Sequence, residues 1–381
     1  MSIKIDRHKI NKLISSYLNG NIDKFRELIK SGENVNCIDE KGRSLIFIVI
    51  YNSGVDPRAK SFFDELIVAG VHLGKIGNEP GLCSAAISRQ NDTYYLKKLL
   101  ENNIDVNFSG YSRWDSTTFG PPIFDAIIYQ QHDHLNLLLK HNPDLELCDD
   151  INRPILSFLL DKAKYASRTF DEYGEREDNP INKKYISLFN QLILCGADVN
   201  AGCSYSIRPI HQLMTKTEEN LDLLNSLFSS KIKVEINAKD GDGDTALFMS
   251  IKEGLPCACN FLISKGASLD ILNVEGHSAL AIAAIYNEPE IFDILEKAGA
   301  DFCLVDKNGN NIMHHLANFS ACGYNFYERI LSKSPQLLLM KNKNKETFID
   351  VMKKNKNKNY NSKNKAMFKK LLKKHDFAMD L

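Results

Sequence analysis

Residues 240–244 read DGDGD, so three carboxylates alternate with glycine as they do at the start of a calcium-binding loop. Such a loop also needs glycine at its sixth position and, at its twelfth, a glutamate that binds the ion through both oxygens. Thr245 and Ile251 occupy those two positions here. The segment therefore predicts a tight turn rather than a metal site.

Two other groups of side chains have the composition of metal ligands. Cys257 and Cys259 are one residue apart, but no histidine lies at ligand spacing, and at helical period at least one thiol should face a core. His132 and His134 flank an aspartate in a segment that we interpret as a surface turn. We expect neither a metal nor a cofactor.

Nucleophilic catalysis would need a thiol or hydroxyl beside a base, with a third group that orients the base. Cys203 and His211 are the pair closest to this arrangement in the sequence. The sequence contains no phosphate-binding glycine loop, nucleophile elbow or zinc-protease helix. We expect a protein that is not an enzyme, and we keep as an alternative a catalytic site grafted onto an irregular unit.

These residues lie in a chain that repeats itself. Between residues 244 and 301 one pattern is written twice, each time as a small-residue helix, a second helix and a glycine that ends it. The turn and helix-ending glycines recur 33 residues apart: Gly243, Gly276 and Gly309, and Gly266 and Gly299. One such helix pair cannot bury its apolar face alone, so stacked copies must complete the core.

A period of 33 residues with a turn and two short helices resembles the ankyrin repeat. The resemblance implies an all-α repeat solenoid, here of about ten helix pairs, with short β-hairpin-like fingers between pairs. His211 and His314 match the histidine of the family's T-P-L-H turn, where the resemblance implies a structural hydrogen bond. It also implies a scaffold that binds another protein through its concave face and fingers.

The repeat pattern divides the chain into three parts. Residues 1–36 form an N-terminal capping helix pair, with helices expected at about 9–18 and 22–30, and residues 37–340 form the repeat array. Residues 341–381 carry thirteen lysines against four acidic residues, although the formal net charge of the whole chain is zero. We expect this basic segment to be a solvated C-terminal cap. Nucleic-acid or membrane binding through it is the alternative, and its lack of arginine argues against phosphate recognition.

Insertions in a repeat array map to loops on one face, where partners bind. Residues 108–120 contain aromatic and arginine side chains of the kind that anchor interfaces, although Trp114 could instead shield its own repeat. Residues 162–184 are highly charged and predict a solvated loop, with a docking element as the alternative. The candidate partner contacts are Arg43, Asn78, Tyr111, Arg113, Trp114, Phe119, Arg153 and Tyr205.

The amino-acid composition is the basis for inferring the cellular compartment and the source of the protein. Nine cysteines without a CxxC pair fit a reducing compartment, and the sequence has neither an apolar signal-peptide core nor a run long enough to span a bilayer. We expect a cytoplasmic monomer, or a protein that reaches a host cell without a Sec signal peptide. In the first half of the chain the repeats depart from the regular pattern, and Lys and Asn are abundant throughout. In both respects the chain resembles host-directed effectors of intracellular bacteria, which suggests a eukaryotic host protein as the partner.

Overall fold

A computed structural model describes residues 11–74, 81–89, 92–108, 120–149, 151–166, 168–170, 176–178, 183–214, 220–319, 324–355 and 362–374. Over these residues the chain has a helical repeat fold that is almost all α, as the sequence predicts. It divides into two compact units, one of Met1–Lys162 with Leu194–Asp198, the other of Ala163–Ile193 with Val199–Leu381. None of the described helices is both long and apolar enough to cross a bilayer.

The division between the units falls inside the ninth helix. Up to that point the helices are α1 Lys12–Leu18, α2 Ile22–Lys30, α3 Leu45–Asn52, α4 Ala59–Val68, α5 Leu82–Arg89, α6 Tyr94–Glu101, α7 Pro122–Ile128, α8 His132–Leu139 and α9 Ile155–Ala166. There follow β1 Arg168–Phe170, β2 Arg176–Asp178, α10 Lys183–Leu194, α11 Pro209–Gln212, α12 Asn220–Phe228, α13 Ala246–Lys252, α14 Pro256–Ser264, α15 Ala279–Ile285, α16 Pro289–Lys297, α17 Ile312–Leu316, α18 Tyr324–Lys333, α19 Phe348–Lys354 and α20 Ser362–Lys374. Short 3₁₀ helices lie at Ser204–Ser206 and Pro335–Leu338.

In the first unit, α3, α5 and α7 pack in sequence as one row, and α1 begins that row. Residues 45–50 of α3 are all buried, because this helix is covered by its own pair and by neighbours on both sides. The second helix of each pair is amphipathic and buries only one stripe. Phe62 of α4 packs edge-to-face with Tyr17 and Phe25, at centroid distances of 5.1 and 4.9 Å.

The second unit repeats this scheme. Helices α13, α15, α17 and α19 stack in one row, and α14 and α16 pack together on the other side. Ala283 and Ala284 of α15 are completely buried, because this small-residue helix is covered by the first helices of its neighbours. Helix α20 places the buried ring of Phe368 5.3 Å from the ring of Phe348 of α19.

The turns that begin each repeat share one geometry. In each, an Asp or Asn side chain accepts the backbone N–H four residues later, and the two residues also exchange a backbone hydrogen bond. Among the described residues these turns span 39–43, 149–153, 240–244, 273–277, 306–310 and 342–346. We refer to them as fingers. The DGDGD segment is thus a finger held by its own first aspartate, as predicted.

Two predicted boundaries need correction. The first helix begins at Lys12 rather than near Lys9, because the Asn11 side chain accepts the N–H of Leu13 and caps it. The insertion at 162–184 is not simply a loop. Helix α9 continues into it as far as Ala166, and β1 and β2 pair antiparallel within it, with Phe170 opposite Arg176.

Candidate partner-binding surface

The fingers of the second unit touch one another in succession, so they form a continuous edge. A β-carbon added to Gly276 would lie only 2.6 Å from Cβ of Asp306 in the next finger. Gly276 also has a φ of +85°, which residues with a side chain rarely adopt. Glycine is therefore required at position 276 for two reasons, the positive φ of the turn and the close approach of the next finger.

The exposed fingertips change charge along this edge. Asp242 and Glu275 are exposed on two neighbouring fingers, whereas Lys307 and Lys343 are exposed on the next two. Val274, beside Glu275, is 69% exposed, which is unusual for an apolar residue in a rigid turn. The edge thus runs from an acidic part to a basic part, and the exposed apolar side chain of Val274 lies within the acidic part, next to Gly243 of the preceding finger.

A surface cavity of about 350 Å³ opens where these fingers meet the ends of the first helices. Its apolar wall comes from Ile282 and Ile285 of α15, from Tyr286 just after that helix, and from Phe319 after α17. Its polar wall is formed by Lys252, Asn273, Glu275 and His277. The ring of Tyr286 is accessible, since this residue is 49% exposed.

His277 links the cavity to a second buried histidine. Its Nδ1 lies 3.0 Å from a carboxylate oxygen of Glu275, and its ring meets that of His315 edge-on at 4.7 Å. Burial lowers the pKa of His277, and burial together with the neighbouring His277 ring lowers the pKa of His315 to about 4. Both imidazoles are therefore neutral at neutral pH.

The cationic group of the cavity is already paired. Lys252 forms an ion pair with Asp244, whose side chain is almost fully buried. Burial lowers the pKa of Lys252, but the ion pair with Asp244 outweighs burial and leaves the pKa raised. Glu275, in contrast, is 66% exposed at its side chain and meets a neutral histidine. At neutral pH the cavity lining together with Asp244 behind it therefore has a negative balance, with two carboxylates and one ammonium group.

The predicted contact residues divide into three groups. Arg43 and Arg153 form ion pairs with Asp39 and Asp149 of their own fingers, both at 2.7 Å, so they brace those turns. Tyr205 is 80% exposed in the second unit. Five of the predicted contacts lie outside the described residues: Asn78, Tyr111, Arg113, Trp114 and Phe119.

The histidines of the repeat turns are structural, as the resemblance implied. His211 accepts the N–H of Arg208 at Nδ1, at 3.1 Å, and donates from Nε2 to the carbonyl of Ala238, at 3.0 Å. His314 makes the corresponding bonds to Asn311 and to the carbonyl of Glu346. Each histidine therefore ties the start of a helix to the next finger.

The remaining chemically active residues are also placed by the fold. Cys259 is fully buried, with a pKa raised to about 12 by burial, as expected for the thiol that faces the core. His132 and His134 do not form the predicted surface turn, because α8 begins at His132 and buries His134 completely. Cys203 donates from Sγ to the carbonyl of Ile207 at 3.2 Å. Within the described residues, no group of three His, Cys, Asp or Glu side chains could hold a metal ion.

Sequence reasoning missed the cavity, although a signal for it was present. Tyr286 and Phe319 are 33 residues apart, and the equivalent position one repeat earlier is Glu253. This position follows the first helix of each repeat. A change from a charged to an aromatic side chain at one repeat position indicates an altered surface rather than an altered core.

Comparison with known proteins bears on the same region. Residues 210–306 match the family description of ankyrin repeats in three copies. This part of the chain is therefore similar to ankyrin repeats. Repeats of this kind generally mediate protein–protein interaction. The cavity and most of the finger edge lie within this part of the chain or directly beside it.

More distant similarities extend beyond the matched residues. The chain is 24% identical over 208 residues to the nuclear factor NF-kappa-B p105 subunit of Gallus gallus, a match that covers 54% of this chain and 19% of that protein. The ankyrin repeat domain of Bcl-3 aligns with 60% of this chain and 92% of its own, at 18% identity and a TM-score of 0.47. An ankyrin repeat domain from Acinetobacter baumannii aligns with 56% of this chain and 97% of its own, at 21% identity and a TM-score of 0.45.

Proposed function

We propose that this chain is a scaffold that binds a partner protein through the fingers and first-helix ends of its second unit. The observation that carries the proposal is the cavity beside the finger edge, with an accessible tyrosine at its rim. An exposed aromatic side chain beside a preformed surface depression is typical of the residues that anchor a protein–protein interface.

Exposed apolar side chains near the cavity support this assignment. Tyr205 contacts the finger 240–244 through its carbonyl, Val274 lies on the next finger, and Val305 directly precedes the finger that follows. Together with Tyr286 they are more exposed than apolar side chains of a packed helix pair. Burying them against a partner would remove apolar surface from water at about 25 cal/mol per Å².

The finger contacts predicted in the first unit remain part of the proposal. The inserted segment with Arg113 and Trp114 supplies a second candidate anchor, whereas Arg43 and Arg153 contribute through the fingers that they brace. A monomeric state, a cytoplasmic location, and a role as a secreted effector that acts on a eukaryotic host protein are hypotheses that rest on composition and repeat drift alone.

The test is affinity capture from eukaryotic cell lysate with matched variants. Tyr286→Ala removes the exposed ring, and Lys297→Ala is its control, because Lys297 is exposed on the second helix of the same repeat. We expect a specific protein to be retained by the wild type and by Lys297→Ala. Tyr286→Ala should weaken its binding by more than about tenfold, the loss typical of a central interface residue.

A third variant separates the two candidate anchors. If Arg113→Ala with Trp114→Ala abolishes capture and Tyr286→Ala leaves it unchanged, the partner binds the first unit and the proposed surface is wrong. Equal capture by all folded variants would refute both surfaces. Circular dichroism at matched concentration verifies that each variant is folded.

A further inference from the structure

Building on the proposed function, we infer that the cavity beside Tyr286 recognises an arginine side chain on an extended segment of the partner. The cavity combines apolar and aromatic walls with an exposed carboxylate at its rim. That combination matches a long apolar stem that ends in a planar cation. The partner is therefore identified by its chemistry, as an arginine-bearing peptide segment.

The walls fit the stem and the plane of a guanidinium. Ile285 offers aliphatic surface to methylene groups, which arginine buries readily while its charged end stays near water, whereas Ile282 is only 1% exposed. Tyr286 and Phe319 offer aromatic surface from equivalent positions of successive repeats. A guanidinium stacks on aromatic faces and is more weakly hydrated than an ammonium, so arginine suits this site better than lysine.

The charge of the cavity favours a cation although one lysine lines it. Asp244 holds Lys252 in an ion pair, so that ammonium group is already neutralised. Glu275 contacts His277, and among the described residues no lysine or arginine forms an ion pair with Glu275. An arriving guanidinium could therefore donate two parallel N–H groups to the Glu275 carboxylate.

The charged residues of the two fingers beside the cavity also favour a cationic partner. The fingers 240–244 and 273–277, with Lys239 and Lys252 beside them, carry four carboxylates and two ammonium groups. Lys239 is also engaged, because its Nζ donates to the carbonyl of Leu272 at 3.0 Å. An approaching basic segment meets a negative potential on this side of the finger edge, which raises its association rate at low salt.

The experiment begins with a random-peptide display library selected on the full chain. Selected peptides are then synthesised with arginine or with citrulline, whose planar ureido group has a similar shape but no charge and carries a carbonyl in place of one N–H donor group. Their affinities are measured by fluorescence anisotropy for the wild type and for Glu275→Gln. Glu290→Gln, an exposed carboxylate on α16, is the matched control.

We expect selected peptides to share one arginine whose replacement by citrulline weakens binding to the wild type roughly tenfold, as for a charge-assisted hydrogen bond. Glu275→Gln should bind the arginine peptide more weakly than the wild type does, by a similar factor. Replacing arginine by citrulline should then lower the affinity for Glu275→Gln only slightly more, because both changes remove the same contact. Glu290→Gln should leave the affinity unchanged.

The outcomes separate this inference from the function on which it rests. If the selected peptides lose affinity for Tyr286→Ala but bind the wild type equally well with citrulline in place of arginine, the arginine site is wrong and the scaffold proposal remains intact. Peptides that depend on arginine yet bind Glu275→Gln normally would place the cation elsewhere and also overturn the site. If the wild type selects no peptide that Tyr286→Ala fails to bind, the proposed surface itself is wrong.

Discussion

His315 makes the second unit sensitive to acid in a way that can be measured locally. This side chain is only 5% exposed. Its ring lies against that of His277, and its Nε2 is 3.8 Å from a carboxylate oxygen of Asp306. Burial first, and the neighbouring His277 second, lower the pKa of His315 from 6.5 to about 4, while the Asp306 carboxylate opposes them.

The direction and size of the effect follow from proton linkage. Between pH 6.5 and about 4 the unfolded chain binds a proton at this position and the folded chain does not, so stability falls as the pH falls. The stabilising contribution is fully present above pH 6.5. With pKa values of 6.5 and about 4, acidification from pH 7 to pH 5 should lower the free energy of unfolding by about 2 kcal/mol through His315 alone.

Hydrogen exchange is the appropriate assay, because repeat arrays open in parts rather than all at once. Opening free energies are measured for amides of α15 and α17 at both pH values, after correction for intrinsic exchange rates. The wild type should lose about 2 kcal/mol more than His315→Gln. Other buried histidines contribute to both proteins and largely cancel in this comparison. His141→Gln, at an exposed position of the first unit, should behave as the wild type.

Equal acid losses in the wild type and in His315→Gln would refute this reasoning. That result would mean that the histidine is protonated without unfolding, for example because Asp306 moves closer and compensates the new charge. A larger loss in His315→Gln would contradict the sign of the linkage as well as its size.

Two further predictions concern the fingers. Gly276→Ala should destabilise the chain by about 1 kcal/mol more than Gly266→Ala in thermal unfolding, because both have positive φ but only the β-carbon at 276 would meet the next finger; equal losses would show that the finger moves freely. Arg153→Gln should cost about 2 kcal/mol, since it leaves the buried Asp149 carboxylate without its ion pair. Arg26→Gln, which removes an exposed pair, should cost less than about 1 kcal/mol, and a smaller loss from Arg153→Gln than from Arg26→Gln would contradict the bracing role.

The sequence predicted the helices and turns well where backbone chemistry alone decides them. Gly266 and Gly299 were expected to end helices in the left-handed region, and their φ values of +91° and +86° confirm this. Asn103 and Asn142, which closely follow the ends of α6 and α8, also have positive φ. Such positions are readable because few residue types tolerate them.

The sequence predicted side-chain roles less well, because those depend on neighbours that are distant in the chain. His134 was assigned to a surface turn on the strength of polar neighbours, yet helix packing buries it. The cavity arises from side chains that are separately unremarkable. Lys252, which pairs with a carboxylate, and Glu275, which meets a neutral histidine, can be distinguished only once those contacts are known. The sequence shows which residues are charged, but only the fold determines which of those charges form ion pairs.

Arg43 and Arg153 show how part of this gap can be closed. Each was predicted as an interface anchor, and each follows by four residues the aspartate that begins its finger. The finger geometry brings those two residues together, so an arginine at the fifth position braces the turn when aspartate stands at the first. At the same fifth position His277 follows an asparagine, which offers no charge, and it pairs with the exposed Glu275 instead. Comparing equivalent positions across repeats therefore distinguishes arginines that brace their own turn from residues whose partners lie at the cavity beside Tyr286, which residue type alone does not.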